Sequence, residues 1–189
     1  MDLSVEVLLH AYAQGLFPMG NDGGGIDWYC PDPRAIIPIE AAMPNRTMRK
    51  ILRSGRFVFT FDTAFTDVMQ ACADREDTWI TDRMVHAYTE LHHAGHAHSA
   101  EAWEDGALVG GIYGVSIGAA FFGESMFSRA DNAGKAAFQH LMAQLRSRDF
   151  RLFDSQIIND FTRTLGAVEI PFEDFQRKLV FGVRMPRRW

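Results

Sequence analysis

Glu124 is the first charge after the uncharged run from Gly106 to Gly123, in Phe122-Gly123-Glu124-Ser125-Met126-Phe127-Ser128-Arg129. Asp154 and Gln156 close an apolar strand, Phe150 to Gln156, whose alternation sends both to one face and Phe153 to the other. If Glu124 and Asp154 are buried near each other, desolvation and like charge raise the pKa of at least one of them, as at many functional sites. The plainer alternative is a structural ion pair of Asp154 with Arg129 or Arg151. Arg46, Arg49, Lys50, Arg53 and Arg56 recur at helical steps, so four of them share a face if the helix runs on. The chain has 19 Lys+Arg against 24 Asp+Glu, net −5. That balance excludes an indiscriminate nucleic-acid coat and leaves this ridge either as a local track for a phosphate backbone or as a solvated face. Trp79, just before the helix start Ile80-Thr81-Asp82, can stack on a base or belong to the core.

Five histidines, His86, His92, His93, His96 and His98, fall within 13 residues and invite a metal. Gly95 interrupts the helix between His92 and His96, however, and no cysteine or carboxylate pair completes a tetrahedral set, so surface and capping roles are expected and no metal. Cys30 and Cys72 lie far apart, which removes a disulfide framework and a thiolate zinc site and suits a reducing cytoplasm. Met1-Asp2-Leu3-Ser4 lacks a basic segment before its apolar residues and does not read as a signal peptide. The 18 uncharged positions from Gly106 to Gly123 have membrane-span length, but six are Gly, which suits strands and turns better than a helix.

The elements that must position these residues follow from period and punctuation. Leu3 to Gln14 has near-helical apolar spacing with Ser4 as a cap, Gly20 to Gly25 reads as a flexible loop, and two prolines extend Trp28 to Arg34. A small N-terminal domain, 1–33, is expected to precede a main domain, 34–189. That domain starts with a strand at Ala35 to Ile39, a helix near Pro44 to Ser54 and a strand at Phe57 to Phe61. Helices are expected at Thr63 to Ala73 and at Asp82 to Ala94. Ser99 to Trp103 and Ala107 to Val115 flank Asp105-Gly106 as a type I′ hairpin, and Ala119 to Met126 completes a meander. A long helix (Asn132 to Ser147), the strand at Phe150, a short helix stopped by Gly166 and a last strand complete the order. That order is the acetyltransferase type of α+β fold, a mixed, mainly antiparallel sheet flanked by helices.

Several stretches, in order, resemble one family, the leucyl/phenylalanyl-tRNA–protein transferases: Trp79-Ile80-Thr81, Gly95-His96-Ala97-His98-Ser99, Val109-Gly110-Gly111-Ile112-Tyr113-Gly114-Val115, Gly123 to Arg129, and Asp154-Ser155-Gln156. Gly15-Leu16-Phe17-Pro18 and Pro31-Asp32-Pro33-Arg34 extend the resemblance over nearly the whole chain. It implies a small N-terminal domain, shortened relative to the family, on an acetyltransferase-like one. It also implies an enzyme that moves Leu or Phe from aminoacyl-tRNA to the N-terminal amine of proteins beginning with Arg or Lys, marking them for N-degron degradation. By position, Asp154 and Gln156 are similar to the proposed catalytic pair, Glu124 to a polar group at the aminoacyl site and Trp79 to an aromatic residue near the terminal adenosine. Ile112, Met126, Leu141 and Phe153 match the pocket for the Leu or Phe side chain, a pocket that can also admit Met, and Asn159 is placed with the substrate-binding residues. Arg46, Arg49, Lys50 and Arg53 are the expected tRNA-backbone contacts. Met19 stands where the family commonly has a tryptophan.

The acetyltransferase loop, Gln/Arg-x-x-Gly-x-Gly/Ala, is not matched, since Arg129 is followed by Ala130-Asp131-Asn132-Ala133-Gly134. Coenzyme A is therefore disfavoured and no cofactor is expected. The expected partners are Leu-tRNA, Phe-tRNA and the acceptor proteins, for a monomer with no membrane. A coenzyme-A-dependent N-acetyltransferase and a non-catalytic RNA- or degron-binding module are the alternatives.

Overall fold

The computed structural model describes residues 3–21, 23–187 and 189. Met1, Asp2, Asp22 and Arg188, which bear on the N-terminus, the glycine loop and the basic tail, lie outside them. At the centre of the fold, Asp105 and Gly106 have φ of 51° and 80°, the backbone a type I′ turn needs. They join β5 (Ala97–Glu104) to β6 (Ala107–Ile117), and β7 (Ala120–Ser128) returns along β6. The uncharged run from Gly106 thus forms strands, and among the described residues no helix is long and apolar enough to cross a membrane.

α5 (Ala133–Ser147) then carries the chain back, so that β8 (Leu152–Gln156) pairs with β7 in parallel. β4 (Val58–Phe61) flanks β5, while β3 (Arg34–Ile36) and β9 (Val168–Ile170) extend the sheet beyond β8, giving the order β4-β5-β6-β7-β8-β3-β9. α2 (Arg46–Arg53) and α5 pack on one face. On the other lie α1 (Val5–Ala13), α3 (Phe65–Ala73), α4 (Asp82–His93) and α7 (Phe172–Arg184). The architecture is the acetyltransferase-like α+β sheet that the element order implies.

The structure departs from the expected elements at three places. Gly20 to Gly25 is the tip of a hairpin, β1 (Phe17–Gly20) with β2 (Ile26–Tyr29), and the Gly20 amide donates to the Trp79 carbonyl at 2.9 Å. β3 stops at Ile36 rather than Ile39. The short helix α6 (Asp160–Thr164) and β9 are followed by α7, where no helix was expected; Phe175, Leu179 and Gly182 face the sheet while Val180 and Phe181 are exposed. Apolar residues on both sides of α7 blur its period. α1 shares a core cluster with the main sheet, Leu8 and Tyr12 packing with Tyr88, Phe122 and Phe175.

Candidate active site

β7 and β8 stay paired only from Ala120↔Leu152 to Phe122↔Asp154 and then part. Both strands are irregular where they part. The β6–β7 ladder passes from Gly114↔Gly123 to Tyr113↔Ser125, which makes Glu124 the extra residue of a bulge. The β3–β8 ladder passes from Ala35↔Gln156 to Ile36↔Asp154, which leaves Ser155 extra on β8. Gln156 has φ 59°, a left-handed conformation that costs a residue with a side chain about 1–2 kcal/mol. It interrupts the regular strand, and Gln156 lines the gap while Asp154 does not.

The gap is a cavity of about 370 Å³. Ile37, Ile112, Phe138 and Phe153 form its buried wall with Met126 and Leu165 beside them; Arg75, Ile157, Asn159 and Phe161 mark its exposed end. Met19, Trp79, Glu124, Ser155 and Gln156 also line it. A Cβ on Gly123 would come within 2.5 Å of Phe153 Cζ, so the glycine is what lets that ring lie along the wall.

The polar groups form one chain of contacts. Arg34 and Asp154 are fully buried. Arg34 Nε and Nη2 donate to the two Asp154 oxygens at 2.9 and 2.6 Å, and Nη1 donates to the Gly15 carbonyl at 2.9 Å. The guanidinium also lies over the rings of Phe175 and Phe17. Asp154 Oδ1 accepts the Gln156 backbone N–H at 3.0 Å, which secures the left-handed turn. The Gln156 side-chain amide donates to Glu124 Oε1 at 3.2 Å, and the Tyr12 hydroxyl donates to the same oxygen at 2.7 Å. Tyr12 is in turn hydrogen-bonded to Tyr88.

Burial pushes the Glu124 carboxyl up to about 8; the Tyr12 hydrogen bond opposes this and the charge of Asp154 adds to it. Burial likewise raises both tyrosines well above the usual phenol range and pushes the Asp154 carboxyl up, with Arg34 opposing it there. The cavity therefore offers an apolar hollow next to a carboxyl that exchanges its proton near neutral pH and an amide fixed beside it. Such a site can hold an apolar acyl group and move a proton at its carbonyl.

Of the residues singled out in the sequence, Glu124, Gln156, Trp79, Ile112, Met126, Phe153 and Asn159 meet at this cavity. Asp154 and Leu141 do not line it: Asp154 faces Arg34, and Leu141 lies one turn beyond Phe138, whose ring takes the wall position. The partner of Asp154 is Arg34, whereas Arg129 and Arg151 pair with Asp74 and Asp149. Arg34, Tyr12 and Tyr88 were missed. Arg34 was discernible as the only Lys or Arg before Arg46, placed at the start of an apolar strand; the tyrosines look like any core aromatic.

Arg46, Arg49, Lys50 and Arg53 are exposed on α2, away from the cavity, and Arg56 pairs with Glu104 at 2.6 Å. Asp62, which the sequence did not connect to the histidines, lies with His92 and His98. Its oxygens accept from the Ser99 amide and pair with His98 Nδ1 at 2.8 Å, and His92 Nδ1 pairs with the Ala97 carbonyl, so these atoms are engaged within the protein.

Residues 36–180 match a family model described as leucyl/phenylalanyl-tRNA protein transferase, and residues 1–32 match the model of that family's N-terminal domain. The leucyl/phenylalanyl-tRNA–protein transferase of Cellvibrio japonicus is 49% identical over 190 residues, covering 98% of this chain and 81% of that one. The one from Salinibacter ruber is 46% identical over 189 residues, covering 100% and 84%. Among solved structures, FemX superposes with a TM-score of 0.61 at 12% identity, over 88% of this chain and 66% of that one, a likeness of fold.

Proposed function

Because the chain belongs to the leucyl/phenylalanyl-tRNA–protein transferase family, we propose that the cavity between β7 and β8 receives the aminoacyl end of Leu-tRNA or Phe-tRNA, with Gln156 and Glu124 carrying out the transfer. The supporting observation is the meeting of an apolar wall, a raised carboxyl and a fixed amide in one hollow. The enzyme is an aminoacyltransferase whose substrates are aminoacyl-tRNA and protein.

In the reaction, the acceptor's terminal nitrogen attacks the ester carbonyl carbon. A carbon–nitrogen bond forms and the bond to the ribose oxygen breaks. The proton leaving the nitrogen passes to Glu124 and returns to the departing ribose oxygen. An α-amine titrates at about 7.7–8.0 and Glu124 at about 8, so near neutral pH each is in its unprotonated, reactive form only in part. Gln156 holds the reacting centre, and positioning supplies most of the acceleration, since the ester is already activated. Both Asp154 oxygens are taken by Arg34 and one also by the Gln156 amide, which suits Asp154 to orienting Gln156 rather than to taking a proton. Ile112, Phe138, Phe153 and Met126 take the Leu or Phe side chain; apolar walls separate such side chains by only about 1–3 kcal/mol per methylene, and a methionine wall adapts to either.

We also propose acceptors that begin with Arg or Lys, an N-degron role in the cytoplasm, a monomer, a division into domains near residue 33, and a tRNA path over α2. Transfer of labelled Leu and Phe from charged tRNA to peptides differing only in their first residue tests this. Peptides starting with Arg or Lys should be modified and those starting with Asp or Gly should not; equal labelling of all would overturn the acceptor assignment.

A further inference from the structure

We infer that Arg75 is the subsite for the phosphate joining the last nucleotide of the charged RNA to the rest of its chain. This rests on the aminoacyl-tRNA reading of the cavity and adds a group to it. Arg75 is the one cation lining the cavity among the described residues, and it is exposed at the open end. Its Nη2 donates to Ser125 Oγ at 2.9 Å, which moors the guanidinium beside the residue that follows Glu124. Trp79, four residues further along the same loop, lines the cavity too.

Other exposed arginines are paired with carboxylates, as in Arg56–Glu104, Arg129–Asp74 and Arg163–Glu169. Among the described residues Arg75 makes no ion pair of 4.0 Å or less, although Asp74, Glu76 and Asp77 surround it in sequence. A phosphate reaching the open end of the cavity therefore meets a guanidinium that lines it and is not held by a carboxylate. A guanidinium has five N–H donors, so the bond to Ser125 leaves ample capacity for a bidentate phosphate contact.

The chemistry of the substrate places an anion there. The esterified hydroxyl and the 5′-phosphate sit on the same ribose. With the acyl group against Phe153 and the base against Trp79, the phosphate must leave the cavity by its open rim, where Arg75 lies.

The test uses 3′-deoxy-3′-(L-leucylamino)adenosine, an amide that cannot give up its acyl group, and its 5′-monophosphate as inhibitors of Leu transfer from Leu-tRNA. For the wild-type protein the phosphate should lower the inhibition constant about tenfold, the range of a hydrogen bond to a charged group. Arg75→Gln and Arg75→Met should bring the ratio close to one, while Arg148→Gln, an exposed cation outside the cavity, should keep it. A ratio that survives in Arg75→Gln, or equal inhibition of the wild type by both compounds, would overturn the phosphate subsite and leave the cavity reading standing. If neither compound inhibited the wild type, the cavity reading itself would fall, and the subsite with it.

Discussion

Removing one partner of the Arg34–Asp154 pair leaves the other charged and enclosed, because both are fully buried. Breaking a buried pair this way costs about 3–5 kcal/mol, so Asp154→Ala should lose that much stability in urea unfolding, and its loss of transfer activity would follow from disorder around Gln156. Stability equal to wild type would show that the pair does not hold this region. Glu124 makes the opposite kind of statement. Its folded value of about 8, against an ordinary 4.5, means that the folded state binds the proton more tightly than the unfolded one between those values. Its contribution to stability is therefore present below about 4.5 and lost as pH rises toward 8. Glu124→Gln should remove that decline, which unfolding midpoints at pH 6 and pH 9 would show; an unchanged decline would place its source elsewhere. At this scale the sequence was informative where a residue was out of character. Glu124, Asp154 and Gln156 are polar among apolar neighbours, whereas Tyr12 and Tyr88 fit a core so well that only the hydrogen bonds between Tyr12 and both Tyr88 and Glu124 reveal them.

Among the elements, the divergence of β7 from β8 makes the cavity, and Gly123 sits at the divergence. Gly123→Ala should force the Phe153 ring out of its present place and narrow the apolar wall. Transfer from Phe-tRNA should then fall about tenfold more than transfer from Leu-tRNA, within the range a change in apolar fit allows. Equal losses, or none, would mean that Phe153 does not set the pocket's size. The Asp105-Gly106 hairpin was legible because only a few residue types tolerate its positive φ. The bulges at Glu124 and Ser155 were not, because an extra residue in a ladder depends on the partner strand. Simple alternation could not foresee the left-handed backbone of Gln156, nor that Gln156 lines the cavity while Asp154 does not.

In the whole molecule, segments far apart in sequence build one site. Phe17 and Met19 from the N-terminal hairpin line the cavity, and Arg34 ties the end of α1 to β8 through Gly15. No local pattern reveals that convergence, so the cavity was legible only through the family resemblance. Against a net charge of −5, tRNA must be drawn by a local patch. The exposed α2 ridge is the proposed one. Arg49→Gln, Lys50→Gln and Arg53→Gln together should weaken tRNA binding and reduce the slope of log affinity against log salt by about two to three. An unchanged slope would return α2 to an ordinary solvated face.

The role of Glu124 as proton acceptor is tested most directly by the pH dependence of Leu transfer to a peptide that begins with Arg. With the wild-type protein two protons must be lost for reaction, one from the acceptor amine and one from Glu124, so log kcat/KM should rise with a slope near 2 below about pH 8. Glu124→Gln should transfer at least about a hundredfold more slowly and keep only the amine's slope of about 1. A Glu124→Gln protein with the wild-type rate and profile would contradict the proposed mechanism.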